Sequence, residues 1–152
     1  MQPDHDEVEI RPYRPGDEAA LVALFAEVFG KPCSLEWWRW KLKGQPSPVE
    51  NVWVATAGER VVGQYAGIPV RVRAGGAVCP AMVSVDTMTS PDFRRRGILS
   101  RLGAAVYEAW ATAGVVAVIG LPNEQWGSGR GGGGWGGVWD LSWVVFPLHA
   151  WS

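Results

Sequence analysis

Apolar and charged residues alternate over residues 8–11, the period of a strand, and 12–16 break the pattern with Pro12, Pro15 and Gly16. Leu21, Leu24, Phe25, Val28 and Phe29 then recur at helical spacing, which predicts a helix with Asp17 as its N-cap and Gly30 as its stop. Ser34 is placed to cap a second helix through about Lys43 that carries Trp37, Trp38 and Trp40. Tryptophans in that setting more often belong to a core or a groove wall than to a ligand stack. Residues 44–50, with Pro46 and Pro48, read as a loop. Three strands follow, over 52–57, 60 to about 73, and 78–89, joined by turns at Ala57-Gly58-Glu59 and Gly75-Gly76. Val70 and Val72 alternate with Arg71 and Arg73, as on a half-exposed surface.

The meander leads into residues 86–110, around which the chain is organised. A strand-like run holding Met82, Val83 and Val85 turns at Ser90-Pro91-Asp92, presents Arg94, Arg95, Arg96 and Gly97, and continues into a helix. Ile98, Leu99, Leu102, Ala105, Val106, Ala109 and Trp110 mark one face of that helix. A basic turn is in general only a solvated one. Set between a strand and a helix start it becomes a candidate anion site, because first-turn N–H groups lack intrahelical acceptors and sit at the positive end of the helix dipole. Beyond Gly114 the unbroken apolar run 115–120 predicts a central strand buried on both faces, parallel to the strand before the helix that connects them.

The run P-D-F-R-R-R-G-I-L from Pro91 to Leu99 resembles the acyl-coenzyme A signature of the GCN5-related N-acetyltransferases (GNAT), Arg/Gln-x-x-Gly-x-Gly/Ala after a strand and a Pro-containing turn. Arg94 and Gly97 match its first two fixed positions and Leu99 departs from the third. The arginine-rich form is similar to that of an Eis-like or related bacterial subgroup. This resemblance implies an α/β (α+β) acyl-CoA N-acyltransferase fold, a mixed, mostly antiparallel central sheet with helices on both faces. It places a single domain over 8–146 between a flexible leader 1–7 and a tail 147–152. It also implies transfer of an acetyl group from acetyl-CoA, as cosubstrate, to a primary amine of a small molecule or peptide, with a homodimer open as the assembly state.

The same resemblance assigns the site. Arg94, Arg95, Arg96, Gly97, Ile98 and Leu99 hold the pyrophosphate, with a hydroxyl contact from Ser100. Backbone groups of Thr87, Met88 and Thr89 meet the pantetheine arm where two strands splay apart, and an N–H near Met88 faces the developing oxyanion. The segment Leu121-Pro122-Asn123-Glu124 resembles one in the subgroup, with Asn123 either near the pantetheine or acting as a helix cap. The acceptor groove lies beside the two N-terminal helices, so Phe29 and Trp37 are its candidate contacts. Asp86, or Glu124 through an ordered water, is the candidate general base; each also suits a local cap or surface carboxylate.

Composition narrows these readings. The 152 residues carry a formal net charge of -1, which gives no global case for nucleic-acid binding or a polybasic membrane anchor. Cys33 and Cys79 make neither a disulfide framework nor a zinc knuckle, and are expected as buried free thiols; no metal site is expected. The acidic, polar N-terminus does not read as a signal peptide and no stretch has the length of a membrane span, so a cytoplasmic location is expected. Eight glycines stand between Gly127 and Gly137, where the family has a helix, and each costs about 1 kcal/mol in a helix relative to alanine. No tyrosine follows Tyr107, although many members of the family use one there as general acid. Many of the similar proteins also carry further domains. The alternative reading is therefore a non-catalytic acyl-CoA binding or interaction module, with a fragment of a longer acetyltransferase as one form of it. The glycine- and tryptophan-rich tail offers Arg130 alone as a basic residue, too little for a nucleic-acid contact.

Overall fold

In the computed structural model, residues 7–121 are described. They fall within one compact unit, Met1–Leu121. Its sheet has five strands in the order β1 (Val8–Pro12), β2 (Val52–Ala57), β3 (Arg60–Ala74), β4 (Ala77–Thr89) and β5 (Val118–Gly120). The first four pair antiparallel, and β5 runs parallel to β4. Helices α1 (Glu18–Phe29) and α2 (Leu35–Lys43) precede β2, and α3 (Ile98–Thr112) links β4 to β5.

Side-chain alternation along the strands separates two cores. Val52, Val54, Val61, Ala66 and Met88 pack with Leu21, Leu24 and Phe25 of α1 and Trp38 and Leu42 of α2. Ala55, Ala57, Val62, Tyr65 and Met82 pack on the opposite face with Ile98, Leu102, Val106 and Trp110 of α3. Helices thus cover both faces of a mostly antiparallel sheet, the architecture expected. Gly67 lets α3 come close, since a Cβ there would stand 2.6 Å from the Trp110 ring. That indole is fixed in turn by donating from Nε1 to the Glu50 carbonyl at 2.9 Å.

The helix boundaries follow local chemistry. Gly30 closes α1 in the left-handed region at φ 66°, and Ser34 caps α2 by accepting from the Trp37 N–H at 3.0 Å. Asp17 differs from expectation: it is already helical in backbone and caps no helix N–H. Arg11 at the end of β1 takes its carboxylate bidentately, at 2.8 Å on each oxygen, and the Arg14 N–H adds a third bond at 2.8 Å.

Three further readings are corrected. Of the α2 tryptophans only Trp38 is core, at 0% exposure, because a helix lying on a sheet buries one stripe; Trp37 is 38% and Trp40 69% exposed. β5 spans only Val118–Gly120, shorter than the expected run 115–120, Val116 ahead of it is 56% exposed, and among the described residues β5 pairs with β4 alone. Both cysteines are free but half-buried rather than buried. The leader before Glu7, the sites Asn123 and Glu124, the glycine segment 127–137 and the expected strand 141–146 lie outside the described residues. Among those described, no helix is long and apolar enough to cross a membrane.

Candidate functional site

The basic turn leaves β4 at Ser90, passes through a 3-10 turn at Pro91–Phe93 and enters α3 at Ile98. Its backbone changes hand twice, with Arg95 at φ 62° and Gly97 at φ 71°, the latter directly before right-handed helix. A left-handed residue against a right-handed one turns successive N–H groups into a concave anion-binding nest. No side chain caps α3, so the first-turn N–H groups of Ile98, Leu99 and Ser100 are not closed off by a capping group. Nothing lies within 4 Å of where a Cβ on Gly97 would stand, leaving that approach open. Arg94, Arg95 and Arg96 are exposed around it.

Residues that the signature does not include hold this turn in place. Ser90 is fully buried; its Oγ donates to Glu27 Oε1 at 2.7 Å and accepts from Arg60 Nη2 at 3.0 Å. Arg60 also stands 3.6 Å from Asp92 Oδ2, and its guanidinium lies 5.3 Å from the Phe93 ring centre, with that of Arg96 at 4.9 Å. Arg94 Nε reaches back to the Thr89 carbonyl at 3.4 Å. The end of α1, the start of β3 and the end of β4 therefore converge on the turn.

Just upstream, β4 bulges. Val85 pairs with Ala66 and Met88 with Gln64, so Asp86 and Thr87 together oppose Tyr65, and Asp86 takes φ 47°. The buried Gln64 amide ties the bulge to α2: Nε2 donates to the Asp86 carbonyl at 2.9 Å, and Oε1 accepts from Trp38 Nε1 at 3.3 Å. The bulge also resets which backbone groups face outward. Ahead of it the Met82 N–H bonds to Ala117 of the β5 side; beyond it the Ser90 N–H bonds to Val62 of β3. By alternation from Ser90, Met88 addresses β3, whereas Thr87 and Thr89 turn their N–H and carbonyl groups toward the β5 side. There the pairing of β4 with β5 covers only Met82–Ser84, and among the described residues the edge of β4 runs on to Thr89 without a strand partner. Near the fork, Tyr65 and Tyr107 share a hydrogen bond at 2.8 Å, and Ser84 and Thr87 hydroxyls stand 3.4 Å apart. Burial pushes the Tyr65 phenol well above its ordinary pKa, so this hydroxyl stays protonated.

Asp86 points its carboxylate toward α2. Lys41 Nζ sits 2.9 Å from Oδ1 and 2.7 Å from Oδ2, and the same ammonium lies 4.7 Å from the centre of the Trp37 ring. Trp37 opens onto a cavity of about 330 Å³ lined by Phe25, Lys31, Pro32, Cys33, Ser34 and Trp37. Phe29 does not line it; its ring packs on Phe25 with centres 4.7 Å apart. Burial, then the nearby Asp86 charge, pushes the Cys33 thiol up, which keeps it neutral. Trp37, Asp86 and the Thr87–Thr89 backbone are thus neighbours. Sequence periodicity offered no signal for Glu27, Arg60, Gln64, Lys41 or Lys31, whose roles depend on contacts between distant segments. Among the described residues no group of three or more His, Cys, Asp or Glu is placed to hold a metal ion.

A meander ending in a bulged strand, a fork to a parallel strand and a glycine-opened helix start define an acyl-CoA N-acyltransferase fold. The sequence matches the Acetyltransferase (GNAT) domain over residues 9–136, and the chain belongs to that family of acyltransferases. No curated protein matches it in sequence. Among solved structures it is similar to an aminoglycoside acetyltransferase from an uncultured soil metagenomic sample, determined with sisomicin, at 18% identity and TM-score 0.65, covering 91% of this chain and 97% of that one. An acetyltransferase of Trypanosoma brucei aligns at 15% identity and TM-score 0.69, over 92% and 100% of the two chains. An integron cassette protein from the mobile metagenome of V. cholerae aligns at 19% identity and TM-score 0.68, over 92% of each. At these identities the likeness is one of fold.

Proposed function

We propose that this protein transfers the acetyl group of acetyl-CoA to the primary amine of a small molecule or peptide. The observation that carries the proposal is the continuity of bulge, fork and helix start along one stretch of chain, Asp86 to Ser100. The donor fits that stretch: a pyrophosphate needs donors and positive charge, and the nest at Gly97 with three exposed arginines supplies both. An amide-rich arm needs backbone groups that no strand engages, and the edge of β4 at Thr87 and the Thr89 N–H has no strand partner among the described residues.

Acetyl-CoA supplies the activated thioester, and the chain supplies position and electrostatics. Ile98, Leu99 and Ser100 N–H groups, with Arg94, Arg95 and Arg96, hold the diphosphate end. Thr89, whose N–H faces the fork, takes the place of Met88 as donor to the developing negative charge, while Met88 anchors the strand through its buried side chain. The attacking amine has to be neutral, so a carboxylate takes its proton; Asp86, paired with Lys41, and Glu124 are the two candidates. Asn123 is assigned to the pantetheine side. Cytoplasmic residence belongs to the same reading, since the donor is a metabolite of that compartment and both thiols are free.

The test is to incubate the protein with acetyl-CoA and a panel of amines while following release of free thiol. Thiol release that depends on one amine class supports the proposal. Coenzyme A binding by calorimetry with no turnover on any amine makes the protein a non-catalytic binding module, and absence of binding rejects both readings.

A further inference from the structure

We infer that Lys41 is itself an acceptor, acetylated within its own chain at a site built from Asp86 and Trp37. The inference rests on the acetyltransferase reading for the donor, and on the contacts of one ammonium group for the site.

An amine takes an acetyl group only after losing a proton, so an acceptor has to stand against a base and close to the thioester. Lys41 meets the first condition. It lies one helical turn beyond Trp37 on the same face of α2, and its ammonium sits 4.7 Å from the centre of that ring. Asp86 supplies the second contact. Its Oδ1 accepts the ammonium's hydrogen bond at 2.9 Å; Oδ2 stands 2.7 Å from the same nitrogen, is buried, and accepts no aligned hydrogen bond among the described residues. A carboxylate oxygen at contact distance with uncommitted lone pairs is where the proton can go. The bulge meets the second condition. Asp86 and Thr87 together oppose Tyr65, so the ammonium is held by the neighbour of the residue whose edge is proposed for the donor arm.

In the step itself the ammonium gives one proton to Asp86 Oδ2, and the freed lone pair forms a C–N bond to the acetyl carbonyl carbon. The C–S bond breaks with its electrons on sulphur, and a second N–H proton leaves with that sulphur as the thiol of coenzyme A. Lys41 becomes a neutral amide, and Asp86 returns its proton to water.

The chain carries its own controls, because Lys31, Lys41 and Lys43 are its three lysines. Lys31 is exposed. Lys43 is chemically matched to Lys41: it pairs with the Glu50 carboxylate, its ammonium lies 4.0 Å from the centre of the Tyr13 ring, and its side chain is 24% exposed against 20%. It differs in lying away from the bulge. Acetyl-CoA reacting unaided selects by exposure, so it modifies Lys31 first and does not distinguish Lys41 from Lys43.

The test is to incubate the whole chain with acetyl-CoA alone and follow the three lysines by peptide mass spectrometry, with circular dichroism to verify that each variant folds. Lys41 should be acetylated faster than Lys31 and Lys43 by about tenfold or more, at a rate per molecule independent of protein concentration. Asp86→Asn should slow it by about tenfold or more, and Gly97→Val should remove the preference for Lys41. Equal labelling of Lys41 and Lys43, labelling led by Lys31, or Lys41 labelling at full rate in Asp86→Asn overturns the inference. An unmodified Lys41 beside acetylation of an added amine also overturns it, and leaves the acetyltransferase reading standing. Transfer to neither Lys41 nor any amine rejects both.

Discussion

Gly97 bears two demands at once, a backbone at φ 71° and an open approach to the helix start. A side chain there strains the left-handed backbone by about 1–2 kcal/mol and projects into the space where the diphosphate is placed. It meets no protein atom within 4 Å, so the domain itself should survive. Gly97→Val is therefore expected to abolish coenzyme A binding in calorimetry while retaining a cooperative unfolding transition; retained affinity would show that the diphosphate is held elsewhere. Asp86 allows a sharper separation. Asp86→Asn should leave coenzyme A affinity intact and lower kcat by at least tenfold if this carboxylate takes the proton, whereas unchanged kcat assigns the proton to Glu124. Lys41→Met, which leaves the carboxylate half-buried beside Trp37 without its partner, should cost about 1–3 kcal/mol of stability in urea unfolding.

Elements were legible where local chemistry decides them. Ser34, Gly30 and the alternation in β2 and β3 specify their boundaries from neighbours in sequence, and Ser34→Ala should cost about 1 kcal/mol, measured as a lowered urea midpoint. The strand–turn–helix around Gly97 was legible for the same reason. The bulge was not: the pattern Met82, Val85, Met88 does not show where β4 slips phase, because the slip is set by its partner Tyr65 and held by Gln64 from another strand. Without it the face taken by Asp86 and the outward choice of Thr89 over Met88 cannot be read. Arg60 is a second such case. It opens β3 after a tight turn, as many surface arginines do, yet it reaches Ser90 and Asp92. Arg60→Ala should weaken coenzyme A binding by about fivefold, the scale of one partly buried hydrogen bond, with α3 helicity unchanged. No loss of affinity would mean that the turn holds its shape unaided.

At the scale of the molecule, one corner couples pH to both layers. Arg11 at the end of β1 holds the Asp17 carboxyl below the ordinary aspartate range, and the Glu18 carboxyl is likewise lowered, first by its own backbone N–H and then by those of Gly16 and the Tyr13 hydroxyl. Tyr13 is pushed up to about 12 by burial and by its bond to Glu18, while its ring packs on Trp38 of α2 at 5.6 Å. The signs differ at the two ends of the pH scale. For Asp17 and Glu18 the folded state binds the proton less tightly than the unfolded chain, so their contribution is complete above about pH 4 and is lost as pH falls through the folded pKa values. For Tyr13 the folded state holds the proton more tightly, so stability is full below about pH 10 and declines as pH rises toward the folded value. Urea midpoints measured across pH should therefore form a plateau with an acid and an alkaline limb. Arg11→Ala should shallow the acid limb because Asp17 then titrates nearly as it does unfolded. Tyr13→Phe should shallow the alkaline limb and leave the remainder to Tyr65, whose burial gives it the same sign. An acid limb untouched by Arg11→Ala would place the titrating carboxylates elsewhere and remove this corner as the link between β1, α1 and the tryptophan at the heart of the α1–α2 layer.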